Sequence, residues 1–216
     1  MTARIVPDGP EGWVAAVEVL RAGGVVALPT DTVYGICVAL ETPGGVERLF
    51  EIKRRPPDKG IMLLLENADQ AEQIGVMTPA ATALAAAIWP GGLTVVVPQR
   101  PDLRLSAVLI AGTTTIGLRV PDHGAPRALA GGVGPLPTTS ANVSGLPEAR
   151  DAEEIRDQLG DVLDLILDGG SEHGGPASTV VDCTGALPRV LRIGEVPLER
   201  VAAILTAAGV PHNLAS

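Results

Sequence analysis

Three short segments carry side chains able to act together on a small charged molecule. Lys53, Arg54, Arg55 and Lys59 place four of the chain's 16 basic residues within seven positions, which concentrates positive potential where one compact anion, such as a triphosphate, could sit. A guanidinium grips two oxygens at once and an ammonium serves as a movable point charge. Lys53, Arg55 and Lys59 are therefore the candidates for phosphate contact. The segment Pro29-Thr30-Asp31-Thr32-Val33-Tyr34-Gly35 follows the apolar run Gly24 to Leu28; hydroxyls and a carboxylate issuing from the end of a buried strand lie where open α/β sheets take small polar ligands. In Pro137 to Gly145, Ser140 and Asn142 offer a hydroxyl and an amide to phosphate or adenosine, and their small neighbours let backbone N–H groups come close. Each segment also has a plainer reading. The basic run could be a solvated helix end, the Ser/Asn segment a capped turn, and Arg119, at the end of a strand, one half of a surface ion pair.

The elements around these segments can be read from periodicity and punctuation. Pro10 opens a helix through Trp13, Val17 and Leu20 that stops at Gly23 and Gly24, and Val25 to Leu28 follows as a strand. Val46, Leu49, Phe50 and Lys53 space as a second helix ended by Pro56 and Pro57, so the basic cluster lies at a helix exit. Ile61 to Leu65 reads as a strand buried on both faces. Ala68 to Ile74 is a short helix, and Thr78-Pro79 caps an alanine-rich one that Pro90-Gly91-Gly92 ends after Trp89. Leu93 to Val97, Ile116 to Val120, Leu163 to Leu167, Thr179 to Asp182 and Arg189 to Arg192 read as strands. Pro126 to Ala130 reads as a short helix, Leu136 as the entry to the Ser/Thr/Asn loop, Asp151 as the cap of a helix to Leu159 with Glu154 reaching back, and Pro197 as the start of a closing helix. Strands and helices alternate, yet some strands follow one another directly. The expected fold is a single α/β domain over 1–216, core about 10–207, with a twisted mixed parallel and antiparallel sheet flanked by helices around a deep cavity.

Composition bounds the function. The 46% hydrophobic content of 216 residues supports one sizeable core, built from aliphatic residues because aromatics make up 2%. A net charge of -9 argues against a surface given over to nucleic acid. The two cysteines, Cys37 and Cys183, read as buried reduced thiols. Neither a signal segment nor a membrane span is apparent, so a cytoplasmic chain is expected. His123, His173 and His212 lack the spacing of a zinc site, and no protein metal site is expected. Gly131 to Gly134 and Gly169 to Gly175 are candidate mobile rims or plain connecting loops.

Taken with Trp89-Pro90-Gly91-Gly92-Leu93-Thr94, Ile116-Gly117-Leu118-Arg119-Val120-Pro121, Ser178-Thr179-Val180-Val181-Asp182 and Val190-Leu191-Arg192-Ile193-Gly194, the three segments resemble, in order and over nearly the whole chain, the YrdC-type threonylcarbamoyl-AMP synthases. The resemblance implies joining L-threonine, bicarbonate or CO2 and ATP into L-threonylcarbamoyladenylate with release of pyrophosphate, for a modified adenosine of tRNA. It implies Lys53 and Arg55 as catalytic residues and Arg55, Lys59, Thr115, Ser140, Asn142 and Arg192 around ATP. Thr32, Arg119, Thr138 and Ser178 would surround threonine, with Arg119 on its carboxylate. Magnesium would arrive with ATP, held by phosphate oxygens and water. Downstream tRNA-modification proteins are implied as partners, weak RNA binding is possible within the family, and the additional C-terminal domain of some longer relatives is not expected. The chain departs from many relatives at Gly60 and Ile61, which stand where proline and leucine follow the basic motif. Leu64 stands where some relatives carry a substrate-contacting histidine, and Glu148 near a frequent serine. Two other classes remain as alternatives: an RNA-binding module without catalysis, which four aromatic residues equip poorly for base stacking, and a carbamoyl-phosphate-dependent carbamoyl transferase. Replacing Lys53 or Arg55 by Ala is expected to suppress turnover with little effect on melting.

Overall fold

A ten-stranded mixed sheet organises the computed structural model, which describes residues 2–56, 58–171 and 175–214. Its strands are β1 (Arg4–Pro7), β2 (Val26–Leu28), β3 (Gly35–Cys37), β4 (Met62–Leu64), β5 (Leu93–Pro98), β6 (Thr115–Arg119), β7 (Leu136–Ser140), β8 (Leu165–Asp168), β9 (Thr179–Asp182) and β10 (Arg189–Arg192), in the order β1-β8-β2-β3-β7-β4-β6-β5-β9-β10. β8 runs parallel to β1 and β2, β4 to β6, and β5 to β9; the other neighbours are antiparallel.

Helices cover the two faces unequally. On one face α2 (Gly45–Lys53), α3 (Ala68–Ile74), α4 (Pro79–Ile88), α6 (Ala152–Leu159) and α7 (Leu198–Ala207) bury aliphatic side chains against Ile36, Leu63, Val95, Leu118 and Val181. On the other, α1 (Pro10–Arg21) and α5 (Gly124–Val133) pack on Val26, Leu28, Cys37, Leu136 and Leu165 at one end of the sheet. The alternation of side chains along a strand sends Met62, Leu64, Thr94, Val96, Thr115, Gly117, Arg119, Thr138, Ser140, Ser178 and Val180 to this second face where those two helices do not reach, and there they line a cavity. The site is the uncovered half of one sheet face.

Several elements differ from what the sequence alone implies. Pro137 to Ser140 is not loop but the central strand β7, paired on both sides by β3 and β4. The β-branched Thr138 and Thr139 suit that place, and Pro137 lies near the strand's start, with its carbonyl accepting from the Val38 N–H. β1 and β3, three or four residues long, carry too little pattern to be read. β4 is not buried on both sides, because Met62 looks into the cavity. The helix at Pro126 is α5, longer at both ends, with the His123 ring accepting from the Ala125 N–H as its cap. Gly131 and Gly132 belong to α5, Gly132 packed toward Val17, and so form no rim. α2 ends at Lys53, three residues before Pro56, because Arg54 turns left-handed at φ 49°. Asp151 caps α6 as read, whereas Glu154 reaches the Arg150 N–H instead of closing a box on the cap residue.

Candidate functional site

The cavity has a volume of about 400 Å³. Of the eleven residues implied for the site, Arg55, Thr115, Ser140, Arg192, Thr32, Arg119, Thr138 and Ser178 line it; Lys53, Lys59 and Asn142 do not. β6 supplies its axis. Thr115 and Arg119, four residues apart on one face, stand ~13 Å from each other along the strand, with Gly117 between them. A side chain at Gly117 would press on the Thr94 methyl and Met62, so the glycine keeps the floor open between the two ends.

At one end, hydroxyls gather about Arg119. This guanidinium, 2% exposed, donates from Nη2 to Asp31 Oδ1 at 2.6 Å, from Nη1 to Thr32 Oγ1 at 2.8 Å and from Nε to the Gly91 carbonyl at 3.0 Å. Two of its five N–H groups remain for a ligand. The pairing with Asp31 was foreseen only as the plainer reading of a strand-end arginine; here it is buried and fixes the guanidinium beside the cavity. Thr30 Oγ1 accepts from the N–H groups of Thr32 and Val33 and donates to the Val33 carbonyl at 2.7 Å, holding the turn that presents Thr32. Thr94 and Ser178 hydroxyls share a hydrogen bond of 2.9 Å. Thr30, Asp31 and Thr94 were not singled out by role in the sequence; the run of hydroxyls after a strand was the signal available for the first two, and Thr94 carried none beyond its place in a motif. Leu64, 1% exposed and in register with Arg119, makes this wall apolar.

At the other end sit Arg55 and Arg192, close enough for the Arg192 charge to act on Arg55. Burial and the neighbouring Arg192 lower the Arg55 guanidinium's proton affinity, and burial lowers that of Arg192. Asp58 near Arg55 and Glu148 near Arg192 offset part of this charge, and neither forms an ion pair with the guanidinium, so the two cations make this end a candidate anion site. Arg55 donates from Nε to the Lys59 carbonyl at 2.7 Å and from Nη2 to that of Gly60 at 2.9 Å, so it braces the turn after α2, while Lys59 itself points away and is exposed. Arg192 donates to the Ser178 carbonyl at 3.0 Å and to Ser178 Oγ at 3.1 Å. It therefore ties the cationic end directly to the hydroxyl end.

Lys53 lies behind this wall. It is 2% exposed, and its Nζ donates to the Ser140 carbonyl at 2.7 Å, Ser140 Oγ at 3.1 Å and Asn142 Oδ1 at 2.5 Å. Asn142 in turn donates to the Leu146 carbonyl at 2.6 Å. All three ammonium protons are used to hold the turn that presents Ser140. Burial, with Arg55 nearby, draws the ammonium from the ordinary lysine range down to about 8, opposed by Glu148. Tyr34 lines the cavity, donates to the Gly170 carbonyl at 2.8 Å and accepts from the Gly169 N–H at 3.0 Å, but neither glycine is among the residues lining the cavity; Glu172 to Gly174, and with them His173, lie outside the described residues. His212 bonds Thr206, and among the described residues no group of three or more metal-ligating side chains gathers. Cys37 and Cys183 are buried free thiols.

Comparison with known proteins identifies the family and the fold. The family model Sua5/YciO/YrdC, described as telomere recombination, matches residues 18–194. A Mycobacterium tuberculosis protein named as a candidate threonylcarbamoyl-AMP synthase is 41% identical over 195 residues, covering 90% of this chain and 89% of its own. The threonylcarbamoyl-AMP synthase of Bacillus subtilis is 35% identical over 92% of this chain, which spans 58% of that protein's length. The crystal structure of Pyrococcus abyssi Sua5 complexed with L-threonine superposes with a TM-score of 0.88 at 30% identity, over 99% of this chain and 63% of that one. The fold, the ordered motifs and these likenesses agree: the chain belongs to the Sua5/YciO/YrdC family.

Proposed function

We propose that the chain is an L-threonylcarbamoyladenylate synthase, joining L-threonine, bicarbonate or CO2 and ATP, with pyrophosphate as the second product, in the service of N6-threonylcarbamoyladenosine in tRNA. The observation that carries this is the joining of two unlike ends in one cavity: the Arg55 and Arg192 pair at one, and the Arg119, Thr32 and Ser178 cluster at the other, linked through the Arg192 to Ser178 contacts. A polyphosphate suits the first, and an amino acid with a hydroxyl suits the second. The names of the related synthases and the threonine complex of the Pyrococcus abyssi protein support the same assignment.

In this reading Arg119 offers its two remaining N–H groups to the threonine carboxylate, while Thr32, Thr138 and Ser178 take the hydroxyl and amine side. The neutral amine nitrogen attacks the carbon of CO2 and gives up a proton to solvent, or attacks bicarbonate with its hydroxyl leaving as water, and a carbamate forms. A carbamate oxygen then attacks the α-phosphorus, and the bond from that phosphorus to the bridging oxygen breaks as pyrophosphate leaves. Arg55, Arg192 and Ser140 bear on the phosphates, with Thr115 on the nucleoside side; such a transfer depends on positioning and charge neutralisation more than on a nucleophile. Lys53 and Asn142 act by holding Ser140, and Lys53 adds positive potential from behind. Magnesium enters with ATP, held by phosphate oxygens and water, a mode of binding in which the protein contributes at most one or two carboxylates. Depth enough to shed water around the mixed anhydride belongs to the same proposal.

The test is pyrophosphate release by the purified chain with ATP and magnesium. Release that requires both threonine and bicarbonate is expected; the same rate without threonine overturns the reading. A non-catalytic RNA-binding role finds little support, since Trp13, Trp89, Tyr34 and Phe50 are all buried or half-buried and leave no exposed ring for stacking.

A further inference from the structure

Glu148 is the one carboxylate among the described residues that line the cavity. It lies on the segment between β7 and α6, is exposed, and makes no hydrogen bond or ion pair, although its charge supports the cationic forms of Lys53 and Arg192. An unengaged carboxylate there is unfavourable for a bare polyphosphate. Arg55, Arg192 and, from behind, Lys53 bring three positive charges to this end, and Glu148 and the nearby Asp58 oppose them, which leaves most of an ATP tetra-anion uncompensated. A divalent cation supplies most of the missing charge and turns the carboxylate from a repelling group into a ligand.

Resting on the adenylation reading, we infer that Glu148 is the protein ligand of the magnesium ion that accompanies ATP, and that it makes nucleotide binding selective for the metal complex. Magnesium binds in many phosphate sites through one or two carboxylates, substrate phosphates and several waters, so a single free carboxylate beside the phosphate cations fits this mode. Among the described residues, Arg55, Arg119 and Arg192 are the other charged groups lining the cavity, with Lys53 behind its wall, and none of these cations serves as a magnesium ligand.

The experiment is calorimetric titration of ATP into the full chain, once with excess magnesium and once with a chelator, for the native protein and for Glu148→Gln. The native chain is expected to bind the magnesium complex at least about tenfold more tightly than free ATP, roughly a 1.4 kcal/mol preference. In Glu148→Gln that preference should shrink to about twofold, with free ATP bound as well as before or better because a repelling charge is gone. Replacing magnesium by manganese and following the ion's paramagnetic signal in the presence of ATP gives a second readout, in which the variant should immobilise the ion less. An undiminished preference in Glu148→Gln, or equal affinity of the native chain for both forms, overturns the inference and leaves the adenylation reading standing. A native chain that binds neither form overturns both.

Discussion

The arrangement of Lys53 separates charge from contact. Its three protons are spent on Ser140 and Asn142, so replacing it takes one donor from each of three acceptors; the Asn142 N–H and the Ser140 hydroxyl still serve two of them, and the loss of the network and of a buried side chain costs about 1–3 kcal/mol. The expectation that Lys53→Ala leaves melting unchanged is therefore replaced: the variant should lose both nucleotide affinity and stability, whereas Arg55→Ala, whose partners are carbonyls of an exposed turn, should lose turnover with little change in melting. Lys53 also predicts a pH dependence. Only its protonated form supplies the positive potential, and burial beside Arg55 sets its titration at about 8. ATP affinity measured between pH 7 and 9.5 should hold below about 8 and then fall by up to about tenfold per pH unit. An affinity that stays level through pH 9.5 would show that the ammonium's charge is not felt by the nucleotide.

The site's precision comes from short strands and the turns that join them, and Gly194 shows how little room they allow. A Cβ at this position would stand 1.9 Å from the Ala177 carbonyl oxygen and 2.7 Å from the Ser178 carbonyl carbon, both backbone atoms. The Gly194 N–H also donates to Thr179 Oγ1 at 2.8 Å. Gly194→Ala must push the segment after β10 away from the start of β9, carrying Arg192 from Ser178 and so disturbing both ends of the cavity at once. The expected result is a loss of ~2 kcal/mol or more in stability together with a rise in KM for both threonine and ATP; a rise confined to one substrate would mean that the two ends are not mechanically joined. At this scale the sequence was legible where pattern is long, as in α1, α4 and β5, and where charge is concentrated, as at Arg55, whereas Arg192 entered only through the family resemblance. It was not legible in β3 and β7, where three to five residues of mixed polarity gain their strand identity from neighbours on both sides. For the same reason Lys53 read as a phosphate ligand: nothing in the spacing told that Ser140 and Asn142 would close over it from 87 and 89 residues away.

Taken whole, the molecule holds its two thiols, its tyrosine and one lysine inside, and their titrations set its tolerance of alkali. Burial pushes the Cys37 thiol far above its ordinary 9, the Cys183 thiol to about 12 and the Tyr34 phenol from 10 to about 12. For an acid whose native pKa is raised, the stabilisation is present in full below the unfolded pKa and is lost as pH climbs past it. Lys53 acts in the opposite sense: between about 8 and 10.5 the unfolded chain binds its proton and the native chain does not, so stability gains there. From pH 9 to 10 the two thiols against one lysine leave a net loss of about one proton's worth, ~1.4 kcal/mol per pH unit, and from 10 to 10.5 Tyr34 joins them and doubles it. Above 10.5 the lysine no longer compensates, and with the thiols and Tyr34 all opposing the native state the decline steepens to ~4 kcal/mol per unit. Melting temperatures should thus hold or rise slightly from pH 8 to 9 and drop progressively beyond. In a Cys37→Ala, Cys183→Ala variant, less stable throughout because of the lost packing, the drop between 9 and 10.5 should vanish, leaving the lysine's gain up to pH 10 and a level course from 10 to 10.5, where Tyr34 cancels it. A variant that declines over that interval as steeply as the native chain would place the alkaline sensitivity elsewhere than in the buried sulfurs.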